Sequence, residues 1–209
     1  QRGIEVSAPW YWNIAPNYDM TLIPRYMSKR GLMMGAQGRF LTKSSNGVIK
    51  GDYLNNDDIT QTERYIWNIE TKTAITDDWR VSIDATGVSD DRYLNDFSTR
   101  SANASQVALN RSLALEHYGP VWSVLMRFQD YQSIDELLPE ADKAYIRMPQ
   151  LAVTGNWQQA FLGANYRLET EGTYFKRDAE SIEGLRVHIE PEISYELNYK
   201  GIYLIPKAG

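Results

Sequence analysis

Apolar and polar side chains alternate with a period of two along most of this 209-residue chain, and this alternation limits the possible folds more than any other feature. In residues 79–88, for example, Trp, Val, Ile, Ala and Gly fill one set of alternate positions, while Arg, Ser, Asp and Thr fill the other. The same alternation recurs in residues 65–71, 122–130, 160–171 and 185–197. Successive side chains of a strand point to opposite faces, so each segment is predicted to be a β-strand with one apolar face.

Connections of two kinds separate these segments. Short turn signals fall at residues 44–47, 76–78, 118–120 and 198–201. Longer polar connections fall at residues 89–105, 133–147 and 176–184. The pattern predicts roughly eleven or twelve strands, mostly of about nine to thirteen residues. Soluble strands average about 5–6 residues, whereas a tilted strand that crosses a membrane needs about 9–11.

We therefore predict an all-β fold, an antiparallel transmembrane β-barrel of which this chain supplies an incomplete portion of roughly 11–12 strands. Short turns at one end and long connections at the other are typical of such barrels. Aromatic residues also gather near the predicted strand ends, as expected at the two membrane interfaces. They are Trp10, Tyr11, Trp12, Tyr18, Tyr26, Tyr53, Trp79, Tyr118, Trp122, Trp157 and Tyr174. A soluble antiparallel β-sandwich, in which one face of each sheet is exposed to solvent, would produce the same alternation and stays open as an alternative.

The polar positions of these strands carry ionised side chains, which a water-filled lumen accommodates and a packed core does not. The candidate lumen-facing residues are Arg80, Arg127, Arg167, Glu169 and Glu190. Glu190 and Glu192 would lie about 7 Å apart on one strand face. That spacing suits a glycosidase pair, but we interpret them as solvated lumen residues rather than catalytic ones.

The composition argues against other chemistry. The chain has no cysteine, and its two histidines, His117 and His188, lie far apart without a nearby second ligand, so no metal site is predicted. A net charge of −5 with scattered Lys and Arg is unlike a nucleic-acid-binding surface. Sequence motifs typical of enzymes and of cofactor binding are absent from the sequence, so we expect no cofactor and no enzymatic activity.

Two prolines stand inside the predicted first hairpin, where they remove hydrogen-bond donors. Pro9 falls within residues 4–14 and Pro24 within residues 18–28, on either side of a turn near Pro16. Proline cannot donate to a strand ladder and is found at edges, strand starts and bulges. Two interpretations stay open, namely two tolerated edge prolines or an edge whose pairing is weak enough to part from its neighbour.

Six sequence blocks together closely resemble the LptD family of outer-membrane lipopolysaccharide-assembly proteins, also called organic solvent tolerance proteins. The two blocks of the first hairpin are PWYWNIAPNYD at residues 9–19 and PRYMSKRG at residues 24–31. The later blocks are VSDDRYLNDF at 88–97, LPE at 138–140, MPQL at 148–151 and VHIEP at 187–191. The resemblance covers essentially the whole chain, and the first block is long enough to be specific.

The resemblance implies a 26-stranded barrel filled by a plug lipoprotein, LptE. Lipopolysaccharide would enter through a periplasmic jellyroll fed by transport-bridge proteins, and would reach the outer leaflet of the Gram-negative outer membrane. The first and last strands of the family form a lateral gate, and Pro9 and Pro24 match the prolines held to weaken that seam.

Residues 1–209 would then form the N-terminal half of the barrel, without the jellyroll and the remaining strands. We expect the other strands to come from a longer protein, or from other chains such as the barrel-assembly machinery during folding. A porin-type diffusion barrel and, from another class, a soluble carbohydrate-binding β-domain or glycosidase stay as alternative functions.

Overall fold

The computed structural model describes residues 2–97, 108–135, 137–139, 142–177, 183–200 and 202–209. Nearly all regular structure in these residues is strand, because the period-two sequence pattern favours it throughout. The strands are β1 Glu5–Ser7, β2 Trp10–Ala15, β3 Tyr18–Met27, β4 Gly31–Leu41, β5 Ser45–Leu54, β6 Arg64–Ala74, β7 Trp79–Val88, β8 Ala108–Tyr118, β9 Trp122–Ser133, β10 Ile146–Trp157, β11 Asn165–Lys176, β12 Gly184–Ser194, β13 Leu197–Tyr199, β14 Ile202–Leu204 and β15 Lys207–Ala208. One α-helix, α1, spans Tyr93–Phe97.

The strands form one antiparallel sheet in which each long strand pairs with its sequence neighbours from β3 to β12. β1 and β2 both pair with β3, and β15 extends the opposite edge beside β12. β13 and β14 form a separate small hairpin. None of the helices among the described residues is long and apolar enough to cross a membrane.

Strand lengths confirm the expected long strands. β3 to β12 contain 10 to 12 residues each, which is the length that a tilted membrane strand requires. The strand predicted from Ala160 is wrong at its start, since Phe161–Gly163 form a 3-10 turn and β11 begins only at Asn165. Leu162 has a φ of 57°, which a strand cannot contain, although its side chain continues the sequence alternation.

The register divides the sheet into two chemically different faces. Residues directly opposite one another share a face, so a row can be followed from Arg80 through Glu116, Leu125 and Ala152 to Glu171. We call this the polar face. Its charged and amide residues in the second half of the sheet include Arg80, Asp84, Glu116, Arg127, Gln129, Gln150, Arg167, Glu169, Glu171, Arg186, His188, Glu190 and Glu192.

The opposite face, which we call the apolar face, carries large hydrophobic side chains that the sheet leaves exposed. They include Trp10, Trp12, Tyr26, Met34, Ile49, Leu113, Trp122, Met126, Leu151, Val187 and Ile189. Exposed apolar patches larger than a few hundred Å² mark a membrane or protein contact. An apolar outer band backed by a charged inner face is the pattern of a membrane barrel wall.

The buried core lies at one end of the sheet, where the connections are long. Met27, Met33, Leu54 and Val88 sit at strand ends on the polar-face side, and α1 packs over them with Tyr93, Leu94 and Phe97. We call this the long-loop end, and the opposite end the short-turn end. The sequence predicted residues 89–105 as a polar connection, but its described part supplies three buried side chains to this core.

Candidate functional site

The first strand of the sheet, formed by β1, Ala8, Pro9 and β2, is an edge that is interrupted in its middle. β1 pairs Ser7 with Arg25, and β2 pairs Trp10 with Leu22, so both segments follow one register along β3. That register places Ala8 opposite Pro24 and Pro9 opposite Ile23. The predicted continuous strand over residues 4–14 is therefore two segments, with Pro9 at the interruption.

Pro24 removes a hydrogen bond between the first strand and β3. The amide of Ala8 donates to the carbonyl oxygen of Pro24 at 3.1 Å, and the amide of Ser28 donates to Ile4 at 2.9 Å. In an antiparallel ladder such opposed residues normally exchange two bonds. Because proline has no N–H, Pro24 accepts one bond and returns none.

Pro9 removes a donor from the other side of the same strand. Hydrogen-bonded and non-hydrogen-bonded pairs alternate, so residues next to Ala8 direct their backbone groups away from β3. The nitrogen of Pro9 therefore points to the free edge of the sheet. Within the described residues β1 and β2 pair with β3 alone, so this edge is open to another strand.

A buried ionic cluster closes the long-loop end beside this edge. Asp57, which is fully buried, accepts from Arg30 at 2.5 Å and from Arg64 at 3.2 Å. Arg64 also contacts Asp90 at 2.5 Å and Asp96 at 3.1 Å, and Asp96 contacts Arg30 at 2.8 Å. Arg30, Asp57 and Arg64 are buried, while Asp90 and Asp96 are partly exposed at the rim of the cluster. Buried charges are tolerated when they are paired in this way, so the five side chains form one interdependent unit.

Aromatic rings of α1 complete the ionic cluster. The guanidinium carbons of Arg30 and Arg64 lie 4.9 and 5.1 Å from the centre of the Phe97 ring. The rings of Tyr93 and Phe97 pack in a tilted arrangement, with their centres 4.8 Å apart. Burial raises the pKa of the Tyr93 phenol well above its ordinary value, which keeps this side chain neutral within the core.

Sequence reasoning missed most of this cluster. Asp90, Tyr93, Asp96 and Phe97 belong to the block at residues 88–97, which drew attention only through the family resemblance. Their charged partners come from the β3–β4 turn, the β5–β6 connection and the start of β6. Arg30 lies in the resemblance block at residues 24–31, but polar residues in such places are ordinarily solvated, so nothing in the sequence indicated that Arg30, Asp57 and Arg64 would be buried.

The five candidate lumen residues, Arg80, Arg127, Arg167, Glu169 and Glu190, all lie on the polar face, and none is buried. Arg80 lies opposite Glu116 and 5.4 Å from the Tyr118 ring centre. Glu169 lies directly opposite Glu190 and forms an ion pair with Arg167. This shared face makes a single ionised surface, and its role as the lining of a lumen stays a prediction.

The residues considered for enzymatic or metal chemistry either lie far apart or are exposed to solvent. Glu190 pairs with His188 at 3.2 Å, and Glu192 pairs with Lys207 at 3.3 Å. His117, on the apolar face, packs against Trp79 in a tilted arrangement, with ring centres 4.8 Å apart. These are contacts of an exposed strand surface, and they give neither carboxylate the apolar environment that makes a general acid.

Aromatic residues mark both ends of the apolar face. Trp122 and Trp157 meet edge-to-face at 4.7 Å near the short-turn end, and Trp79 lies there with His117. Tyr53 and Tyr65 lie opposite one another towards the long-loop end. Rings with an apolar body and a polar edge favour the membrane–water interface, so two such rows bound an apolar band.

Long antiparallel strands, an exposed apolar face between aromatic rows and an ionised opposite face define a portion of a transmembrane β-barrel wall. Comparison with known proteins gives the particular family. A family model described as "LptD: LPS transport system D" matches residues 62–209. This chain belongs to the LptD family, as its sequence blocks suggested.

Curated relatives carry the same family name. The chain is 37% identical over 208 residues to the LPS-assembly protein LptD of Nitrosococcus oceani, covering 99% of this chain and 28% of the relative. It is 38% identical over 196 residues to the LPS-assembly protein LptD of Idiomarina loihiensis, covering 92% and 25%. The protein of the same name from an Azoarcus species is 36% identical over 213 residues, covering 99% and 26%. The chain thus spans about a quarter of the length of these relatives.

Proposed function

We propose that this chain forms the N-terminal half of a barrel that carries lipopolysaccharide to the outer leaflet of the outer membrane. The relatives named as LPS-assembly proteins support this function over a porin-type diffusion barrel or a soluble carbohydrate-binding domain. The observation that carries the proposal is the weakened hydrogen bonding of the first strand at the edge of the sheet. Pro24 and Pro9 remove donors from its two sides, and removing ladder bonds lowers the cost of lateral separation.

The two faces suit the two halves of an amphipathic lipid. Arg80, Arg127 and Arg167 would offer hydrogen bonds and positive charge to sugar and phosphate groups within a hydrated lumen. Acyl chains would leave sideways at the first strand, where the sheet edge meets the hydrocarbon. The chain acts as a conduit in this proposal, so Glu190 and Glu192 have no catalytic role and no cofactor or metal takes part.

The proposal includes the remaining strands and partners of the full-length protein. An open sheet leaves unpaired backbone groups that lipid cannot satisfy, so a closing strand must cover the first-strand edge in the membrane. We propose that the plug lipoprotein LptE fills the lumen and that bridge proteins deliver lipopolysaccharide through a jellyroll. The barrel-assembly machinery would hold the wall while it closes.

Site-specific photo-crosslinking in the full-length protein tests whether lipopolysaccharide passes along the polar face. A benzoylphenylalanine at Arg127, on the polar face, should form an adduct with lipopolysaccharide only while delivery is running. The same label at the neighbouring Met126, on the apolar face, should react with lipid already in the membrane whether or not delivery runs. A delivery-independent result at Arg127, or no adduct there at all, would contradict a lumenal path along this face.

A further inference from the structure

The long-loop end of the first strand is tied to the ionic cluster by Arg2. The Nε of Arg2 donates to the backbone carbonyl of Asp96 at 2.7 Å, across 94 residues of sequence. Its Nη1 lies 3.6 Å from a carboxylate oxygen of Glu5, in β1. Arg2 therefore joins the beginning of the first strand to α1.

Asp96 is a fixed attachment point because two buried arginines bind its carboxylate. Arg30 and Arg64, both almost fully buried, contact its two carboxylate oxygens. Moving Asp96 would break these contacts and expose paired charges, which is costly in a buried environment. The backbone carbonyl that Arg2 reaches is consequently fixed to the core.

A second ionic contact holds the same end of the strand to β3. Glu5 pairs with Arg25 at 2.7 Å, and the amide of Ile4 donates to the hydroxyl of Ser28 at 3.0 Å. At the opposite end, β2 continues into β3 through a tight turn and pairs with it from Trp10 to Asn13. Both ends of the first strand are thus held, while between them Ala8 makes a single bond to Pro24 and Pro9 directs its nitrogen away from β3.

We infer that Arg2 and Glu5 are positioning residues that pin the long-loop end of the first strand, so that separation from β3 is confined to the interval around Ala8 and Pro9. The inference rests on the proposed lateral opening, and it specifies which part of the first strand can separate from β3. A strand held at both ends bows in its middle rather than peeling away. The gap between the first strand and β3 would therefore be a slot within the membrane that stays closed at the long-loop end.

Hydrogen exchange of the purified full-length protein measures this pinning without any lipopolysaccharide delivery. Arg2→Gln should speed exchange of the Ile4 and Ser28 amides by about tenfold, as expected from loss of one charge-assisted contact of about 1.4 kcal/mol. Exchange at Trp10 and Trp12, in β2, should stay as in the unmodified protein. Glu5→Gln should give the same local change by removing the other half of the anchor.

Lys29→Gln is the matched control, since it removes an exposed positive charge next to Ser28 but keeps the backbone amide of Lys29, which donates to the Arg2 carbonyl at 3.4 Å. The contacts of Arg2 and Glu5 with Asp96 and Arg25 do not involve the Lys29 side chain. Unchanged exchange at Ile4 and Ser28 in both Arg2→Gln and Glu5→Gln would overturn the inference. Equally faster amide exchange at Ile4, Trp10 and Trp12 would also overturn it, because Arg2 and Glu5 would then stabilise the whole first strand and not only its long-loop end. Because delivery is not measured, neither result depends on whether the barrel carries lipopolysaccharide.

Discussion

The amide of Ala8 donates to the carbonyl oxygen of Pro24, with 3.1 Å between nitrogen and oxygen. Pro24 has no backbone N–H, so it donates no hydrogen bond to Ala8 in return. One missing donor thus lies between the first strand and β3. The second, at Pro9, faces the open edge on the other side of the same strand. The two prolines have different physical effects, because one weakens pairing within the sheet and the other weakens closure against a further strand.

Pro24→Ala should strengthen the contact between the first strand and β3. The new N–H lies opposite the Ala8 carbonyl, and the bond it forms is worth about 0.5–1.5 kcal/mol. Hydrogen exchange of the Ala8 amide should therefore slow by about two- to tenfold in the full-length protein. Pro9→Ala serves as the comparison, since its new N–H faces away from β3 and should leave Ala8 unchanged.

Met126→Lys tests the assignment of the apolar face. Met126 is exposed in the middle part of β9 and lies beside Leu115 and Leu151. A lysine near mid-membrane should lower the free energy of unfolding from lipid by about 2–4 kcal/mol. Leu125→Lys, one residue away and opposite Glu116 on the polar face, should have a much smaller effect. Equal losses, measured by urea titration in lipid vesicles, would mean that the two faces are wrongly assigned.

Arg64→Met tests the ionic cluster at the long-loop end. The substitution removes a partner from the fully buried Asp57 and from the partly exposed Asp90 and Asp96, and the loss at Asp57 should destabilise the full-length barrel by about 3–5 kcal/mol. Arg39→Met removes an exposed ion pair with Asp19 and should change the unfolding midpoint little. If both variants unfold alike, the buried cluster is not a stabilising unit.

The sequence alternation predicted the strands and faces well, because side-chain direction in a strand depends only on local geometry. The segment 79–88 coincides with β7, and the five candidate lumen residues share one face as their spacing required. Burial at the long-loop end could not be predicted in this way. Arg30 and Arg64 are buried with the Phe97 ring of α1 beside their guanidinium groups, which is a contact between residues far apart in sequence. The turn at Leu162 was missed for the opposite reason, since a local positive φ left the alternation intact.

The double substitution Glu190→Gln with Glu192→Gln tests the non-enzymatic interpretation of the polar face. Both carboxylates are on a strand surface with His188 and Lys207 as partners, so neutralising them should change assembly and lipopolysaccharide delivery little. Membrane fractions probed with specific antibody, together with delivery assays, would check this. A glycosidase activity that disappears in the double variant would refute our view of these residues.

The most direct test of the central claim is the rate of lipopolysaccharide delivery by full-length protein carrying Pro9→Ala and Pro24→Ala together. Each restored donor can add a bond worth about 0.5–1.5 kcal/mol, and about 1.4 kcal/mol corresponds to a tenfold change in opening. Pro191→Ala is the matched control, since Pro191 lies inside β12, opposite Leu168 and far along the sheet from the first strand. We predict several-fold slower delivery in the double variant at normal barrel abundance, with the control at the unmodified rate. Delivery at the unmodified rate by the double variant would contradict the weakened-edge mechanism.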